Sequence, residues 1–359
     1  MIITYRYDEL GIVYEIPDIY RYVLYTLREI PKGKITTYGE LGAAIGDKIA
    51  ARAIGYIMAT NPRPDIYPCY KVVNRDGSIG KYSLGKEEKI RRLRKEGIRI
   101  ESERIIDFQD RLVRSHQIDV FPYLRSLRNM QSWLSVATEL SDEHTQIRNI
   151  ASFDLSYVDG PPDISICVGC LFDIKNTKLN GLAISILPVF IPYIPTYLAF
   201  RELPAILLCL EHLMRHRKPD AVFLDGQGVL HPRRFGIATH IGVIANLTSV
   251  GIAKTLLCGR VVEKWSKSGD SYYAPIELDG EILGFIIRKN RHEIIVSPGH
   301  RISPEKALEI ALNLEWRPRD PEPLVMRVPH LIATSVRKKI KAIYNKIRAG
   351  LADITEFMD

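Results

Sequence analysis

Two hydrophobic periodicities share this chain, and they do not mix. In the first hundred residues the apolar positions recur at helical spacing, as in Ile19, Val23, Leu27 and Ile30. From residue 150 onward, apolar runs of strand length take over, at 150–157, 163–173 and 181–191. A chain that changes period once, and repeats nothing, is expected to hold two different modules rather than an array. At about 100–200 residues per domain, 359 residues suit two domains. The predicted division is a first domain over 1–100, a weakly patterned linker over 101–123, a second domain over 124–335 and a basic amphipathic helix over 336–359.

In the first domain, Pro31-Lys32-Gly33 ends the first helix, and Thr37 with Glu40 fits a capping box that opens a short helix closed by Gly46. A further helix from about Lys48 to Thr60 stops at Asn61-Pro62. Two short helices about a Gly-containing turn suggest a helix-turn-helix. In the second domain a helix over about 124–140 precedes three antiparallel strands. An apolar helix then runs from Phe200 to Arg215 with Pro204 in its first turn. Next come a buried strand Ala221–Leu224, a helix over about 233–245, a strand Val250–Ala253 and a hairpin at Asp279-Gly280. Strands alternating with helices predict an α/β layer with a mixed sheet.

Charge narrows the partner. The net charge is +8, and residues 1–100 hold much of that excess, concentrated in Lys81–Arg99. An acidic polymer or a solvated helix face would each account for that run. No apolar stretch reaches the ~18 residues of a membrane span, and the N-terminus lacks the order of a signal peptide. Five scattered cysteines fit a reducing compartment, so a cytoplasmic chain with no membrane partner is expected. Cys167 and Cys170 have no second pair to complete a zinc site, and with Cys209 and Cys258 they read as core residues.

Pro62, Pro64 and Pro68 bracket a loop leading into Pro68-Cys69-Tyr70-Lys71-Val72. Prolines fix the backbone and so hold Cys69 in one place. A lone cysteine is ordinarily a small buried hydrophobe, but here more residues agree. The stretch from about 19 to 97 resembles the catalytic domain of O6-alkylguanine-DNA alkyltransferases, whose acceptor cysteine lies in Pro-Cys-His-Arg-Val. That resemblance implies a mostly helical winged helix-turn-helix domain. It makes Cys69 the alkyl acceptor and places Tyr38 on the phosphate 3′ of the target. It puts the finger arginine at Arg52 and sets Asn61 between the helix pair and the active-site loop. Ser83 would belong to the loop closing over the base, and Glu96 would end the proton relay. Tyr70 and Lys71 replace the family's histidine and arginine. A phenol is a poor base at neutral pH, though it can relay a proton to Glu96. Only about eighteen residues precede the first helix, so the family's separate N-terminal domain is expected to be missing. No cofactor is implied for this domain.

Asp154, Glu202 and Asp225 each sit where an apolar element meets a turn. Such ends can converge at one edge of a sheet, and hard cations take oxygen ligands of this kind. Singly, each is also an ordinary cap or surface acid. Residues from about 124 to 335 resemble endonuclease V, through Asp154-Leu155-Ser156-Tyr157, Pro192-Tyr193-Ile194-Pro195, Phe200-Arg201-Glu202, Asp225-Gly226-Gln227-Gly228, His231-Pro232-Arg233, Gly251-Ile252-Ala253-Lys254 and Ser297-Pro298-Gly299-His300-Arg301. The resemblance implies a ribonuclease-H-like α/β domain that cuts 3′ of deoxyinosine with Mg²⁺, or with Mn²⁺. It assigns the metal to Asp154, Glu202 and Asp225, with His330 as a weaker candidate. It makes Tyr193 the strand-separating wedge and puts His231 and Lys254 beside the scissile phosphate. Gly226 and Gly228 would let the backbone approach the flipped base.

The combined expectation is a bifunctional repair protein acting on damaged single- or double-stranded DNA. Two alternatives stand beside it. The first domain could flip alkylguanine without taking the alkyl group, and the second could cut inosine-containing RNA.

Overall fold

The computed structural model describes residues 1–142, 146–160 and 162–348. It opens on an element that helical spacing did not announce. Strands β1 (Ile2–Tyr7) and β2 (Ile12–Pro17) form an antiparallel hairpin turned at Gly11, which is left-handed (φ 63°). Then come α1 (Ile19–Thr26), β3 (Thr36–Thr37), α2 (Tyr38–Ala44) and α3 (Ala51–Ala59). The proline loop leads to β4 (Val72–Val73), which pairs in parallel with β3, and the basic run forms α4 (Lys86–Lys95). Thr37 caps α2 by accepting the Glu40 N–H at 3.2 Å. This is half of a capping box, because the Glu40 carboxylate accepts the Ser115 N–H instead, at 2.7 Å.

The expected linker is folded. Residues 100–118 form the hairpin β5 (Ile100–Glu101) and β6 (Arg104–Ile105), the single turn α5 (Phe108–Arg111) and a 3-10 turn at Ser115–Gln117. The Ile35 backbone clasps this segment, donating to Arg111 O at 3.0 Å and accepting from Val113 N at 2.8 Å. Elements this short cannot display a period, so they read as a linker. Next, α6 (Tyr123–Leu134) ends earlier than expected and passes into a 3-10 turn at Ser135–Ala137.

The second domain is built on one ten-stranded sheet. Its elements are β7 (Asn149–Val158), β8 (Ile164–Asp173), β9 (Lys178–Pro188), α7 (Leu198–Met214), β10 (Ala221–Asp225), α8 (Ile237–Ala245) and β11 (Thr248–Ala253). They continue as β12 (Arg260–Val261), β13 (Ser266–Ser268), β14 (Ser271–Leu278), β15 (Glu281–Lys289), β16 (His292–His300), α9 (Pro304–Asn313) and α10 (Leu324–Arg348). The strand order is β12-β14-β15-β16-β11-β10-β7-β8-β9, with β13 added to β14. Only β7–β10 and β10–β11 are parallel. The sheet is therefore mixed. Helices α7 and α8 cover one face, and α9 and α10 cover the other. Asp279 and Gly280, with φ of 54° and 84°, make the expected hairpin turn between β14 and β15.

Three readings change. Pro204 is the seventh residue of α7 and sits in its second turn. The basic tail is no separate helix from 336, since residues 336–348 continue α10, and 349–359 lie outside the described residues. Cys258 is half-buried rather than core. Cys167 and Cys170 do face opposite sides of the sheet, as strand alternation requires, with Cys209 beside Cys167.

One buried apolar cluster spans the two domains. Tyr7, Tyr14 and Ile16 of the hairpin and Ile54 and Ile57 of α3 belong to the same buried cluster as Phe200, Ile206 and Leu210 of α7. Hydrogen bonds reinforce the junction. The Tyr7 hydroxyl donates to Pro204 O at 2.7 Å, and the Ile19 N–H donates to Phe190 O at 2.9 Å. Among the described residues no helix is long and apolar enough to cross a membrane.

Candidate active sites

Prolines and a short 3-10 turn at Cys69–Lys71 carry Cys69 to the wall of a cavity of about 620 Å³. Tyr38, Gly55, Met58, Tyr82 and Ser83 line it too, so the start of α2, the middle of α3 and the loop before α4 meet there. Asn61 closes the loop from behind. Its amide donates to Tyr67 O and to the Cys69 sulfur, each at 3.0 Å. Burial pushes the thiol pKa up, and the Asn61 hydrogen bond opposes that shift without cancelling it. Arg52 is exposed at the start of α3.

Tyr70 and Glu96 do meet. The phenol donates to Glu96 Oε1 at 2.5 Å. The other Glu96 oxygen accepts the Gly33 N–H at 2.8 Å and lies 3.3 Å from Lys71 Nζ. Burial, and then the carboxylate, raise the Tyr70 pKa far above that of a free phenol, so its proton stays on oxygen. Sequence reasoning missed Lys89. It is 1% exposed inside α4, donates to Val72 O at 2.6 Å, and burial lowers its pKa to about 8. Its place within a basic run concealed it, because a run of that kind reads as solvated.

Parallel pairing builds the second site. Leu224 lies beside Phe153, so Asp225 and Asp154 follow at the same edge of the sheet. Asp225 lies beside Ile252, which places Lys254 just beyond. Helix α7 lays Glu202 over that edge, and the three carboxylates line one small pocket of about 70 Å³. Burial, and then Asp225, push Asp154 up to about 6. Burial also lifts Glu202 to about 7, against a 2.7 Å hydrogen bond from the Tyr157 hydroxyl. Lys254 Nζ reaches Asp225 Oδ2 at 2.8 Å and Glu322 Oε2 at 3.1 Å. Burial alone would lower the Lys254 pKa, but these two acids raise it overall. His330 Nδ1 lies 3.4 Å from Asp154 Oδ2, an oxygen with no hydrogen-bond partner among the described residues.

Buried carboxylates with raised pKa values and a buried oxygen lacking a donor are what a hard cation would relieve, so these residues fit one. They line the pocket without closing on a point. Among the described residues no three acidic, imidazole or thiol side chains stand at ligating distances. Buried Glu322 was not anticipated, because it sits between Pro321 and Pro323 in the loop before α10, where an acid reads as solvated.

The remaining residues fall into two groups. Tyr193 is 59% exposed on a loop anchored by buried Ile194, and the loop closes through Thr196 at φ 70°. His231 lies behind the Tyr193 loop. It is buried, its Nε2 contacts Thr196 O at 3.2 Å, and its Nδ1 accepts the Arg233 N–H at 3.2 Å. Burial, aided by Arg233, lowers its pKa to about 4, and both ring nitrogens face groups of the fold. Gly228 has a reason within the fold itself. A Cβ there would lie 2.0 Å from Pro298 O, in strand β16.

Known proteins match both halves. The Endonuclease V family pattern covers residues 131–327, and that of the 6-O-methylguanine DNA methyltransferase DNA-binding domain covers 18–98. The bifunctional methyltransferase/endonuclease of Picrophilus torridus is 36% identical over 321 residues, which is 89% of this chain and 97% of that protein. Its namesake in Thermoplasma volcanium is 37% identical over 83% of this chain and 85% of its own. The Endonuclease V structure from Bacillus subtilis superposes with a TM-score of 0.56 at 26% identity, over 62% of this chain and 95% of that one. The Streptomyces avermitilis enzyme gives 0.53 at 26%, over 60% and 93%. The chain therefore belongs to the bifunctional methyltransferase/endonuclease family, DNA-repair enzymes that join an alkyltransferase-type DNA-binding domain to an Endonuclease V.

Proposed function

We propose that Cys69 takes the alkyl group from O6-alkylguanine in DNA, and that the second domain hydrolyses the phosphodiester 3′ of deoxyinosine with bound Mg²⁺ or Mn²⁺. The observation that carries the first half is the Cys69 sulfur at the wall of a base-sized cavity, held by Asn61. A modified base must leave the stack to enter such a cavity. In this reading α2 and α3 form the DNA-reading pair of a winged helix-turn-helix. Tyr38 presses on the backbone, Arg52 fills the vacated stack and Ser83 sits over the base. Transfer forms the S–C bond and breaks the C–O6 bond, with the thiol proton leaving through neighbouring groups and guanine restored. The Tyr70–Glu96 pair is a route for that proton rather than a base.

For the second half, the shared pocket of Asp154, Glu202 and Asp225 carries the reading. A divalent ion held there supplies Lewis acidity and activated water. The chain itself does the rest. Tyr157 orients Glu202, and Lys254, fixed between Asp225 and Glu322, offers positive charge to the leaving oxygen. Tyr193 stacks beside the lesion, and His231 stiffens its loop. His330 stands ready to orient Asp154.

One assay tests both halves: duplexes carrying labelled O6-methylguanine or deoxyinosine, with and without Mg²⁺, and an RNA copy of the inosine strand. Label on Cys69 and metal-dependent DNA nicking support the proposal. Tight binding with no label at any pH transfers the first domain to lesion recognition alone. Faster cutting of the RNA copy makes the second domain a ribonuclease.

A further inference from the structure

Asp163 precedes β8, and sequence reasoning gave it no role. It is 5% exposed, and both of its oxygens are taken by donors from two domains. Oδ1 accepts the Tyr56 hydroxyl at 2.6 Å and the Gly160 N–H at 3.2 Å. Oδ2 accepts the Tyr20 hydroxyl at 2.9 Å and Arg201 at 3.2 Å. Tyr20 belongs to α1 and Tyr56 to α3, in the alkyltransferase domain. Arg201 belongs to α7 and immediately precedes Glu202.

The network continues beyond Arg201. Its guanidinium lies 4.2 Å from the centre of the Tyr157 ring, and the Tyr157 hydroxyl donates to Glu202 Oε1 at 2.7 Å. Its other arm donates to Ile191 O at 2.9 Å, at the root of the Tyr193 loop. One guanidinium thus sets both the ring that orients Glu202 and the base of the wedge loop.

We infer that Asp163 is a positioning residue for incision, through which hydroxyls of the alkyltransferase domain hold Arg201, and with it Glu202 and the Tyr193 loop, in working geometry. This rests on the reading that Glu202 serves the nuclease. An underpaired buried charge is costly. Asp163 and Arg201 are both nearly out of water, so each must satisfy its hydrogen bonds within the protein. Without the two hydroxyls the carboxylate keeps only Gly160 N and Arg201. It then draws the guanidinium inward, off the Tyr157 ring and away from Ile191 O. A plain interface contact would stabilise the junction and nothing more. This one also feeds a chain of directional contacts that ends on a nuclease carboxylate.

The test uses the full-length protein with Tyr20→Phe, Tyr56→Phe and the double variant, and Glu202→Gln as reference. Mn²⁺ binding to metal-free protein is measured by calorimetry. Single-turnover incision of a deoxyinosine duplex is measured at saturating Mg²⁺, together with the Kd for that duplex. Each phenylalanine keeps the ring and removes one hydroxyl, so the fold survives. The double variant is expected to bind Mn²⁺ and to incise about three- to tenfold less well, the range of one or two lost buried hydrogen bonds, with the duplex Kd unchanged. Asp163→Asn, which also unpairs Arg201, is expected to fall further. A lower melting temperature with unchanged Mn²⁺ affinity and rate would make the tyrosines interface contacts only and overturn the inference. A Glu202→Gln protein that binds Mn²⁺ and cuts like the parent would overturn the reading of Glu202, and the inference with it.

Discussion

The Tyr70 hydroxyl donates to Glu96 across 2.5 Å, and so the group next to Cys69 holds its proton firmly instead of accepting one. Burial of the thiol acts in the same direction. Both effects leave Cys69 protonated at rest, while the proline loop and Asn61 keep its sulfur in position. Orientation is strong in this site and deprotonation is weak.

Alkyl transfer is therefore expected to accelerate as pH rises towards the elevated thiol pKa, because the thiolate is the nucleophile. Tyr70→His supplies a group that titrates near neutrality, and general-base help is typically worth about 10²–10⁴-fold. The variant should raise the single-turnover rate at pH 7 and flatten the pH profile. A parent rate that is flat from pH 6 to 9 would show that thiol ionisation does not limit transfer.

Incision should disappear in Asp225→Ala. Losing this carboxylate removes a proposed metal ligand and frees Lys254 from its 2.8 Å contact, so two contributions to charge stabilisation go together. A loss above about a thousandfold, or roughly 4 kcal/mol in the barrier, is expected. Retained nicking by a folded Asp225→Ala protein would remove this residue from the metal site.

The same acids tie stability to pH in the metal-free protein. Asp154 is held near 6 in the folded state, above the ordinary carboxylate value near 4. The folded protein therefore keeps a proton that the unfolded chain sheds. Stability from this group is intact below about pH 4, falls as pH climbs through 4–6, and is gone above. On the order of 2 kcal/mol is at stake, and Glu202 extends the window towards 7. Thermal melts should show Mg²⁺ raising Tm more at pH 8 than at pH 5. Equal shifts at both pH values would contradict this account.

What the sequence made legible depended on whether a residue's neighbours carry a pattern. Cys69 and Asn61 lie eight residues apart in a loop whose prolines stand out. Asp154, inside β7, and Asp225, the last residue of β10, stand out as acids after apolar strand residues, and parallel pairing then places them side by side. Lys89 was lost in its basic run, Glu322 lies between two prolines just before α10, and Asp163 reads as an ordinary polar residue at the mouth of an apolar strand. The β1–β2 hairpin escaped for a different reason. Ile3, Tyr5 and Tyr7, and Ile12, Tyr14 and Ile16, do alternate at strand spacing, but each run is only six residues long and the surface they pack on lies some two hundred residues away. The folded 101–123 segment was missed because its elements span two to four residues.

That hairpin changes what dissection should do. A weakly patterned linker would let the halves separate near residues 105–120, but the shared apolar cluster opposes it. Cutting there exposes the side of α7 against which Tyr7 and Ile16 pack. Calorimetry of the intact chain should show one cooperative transition, and Tyr7→Ala should cost about 3–5 kcal/mol across the whole molecule. Two resolved transitions, or a stable and soluble fragment over 120–359, would restore the separable picture.

Tyr193 offers the opposite balance of stability and function. At 59% exposed it contributes little to folding, so Tyr193→Ala should leave Tm within about 1 °C. Its ring nevertheless stands on a loop fixed by Ile194, by the left-handed Thr196 and by the His231 contact to Thr196 O. Such rigidity is superfluous for a solvated turn, and it suits a ring that must stack on a base at the moment of strand separation. Base–aromatic stacking is worth about 1–3 kcal/mol, so incision of a deoxyinosine duplex should fall roughly ten- to a hundredfold. The decisive comparison is with single-stranded substrate, where there is no stack to open. If Tyr193 separates strands, the variant's deficit should shrink there to a few-fold. An equal deficit on both substrates would mean that Tyr193 binds the lesion itself, and the wedge role would have to be assigned elsewhere on the loop.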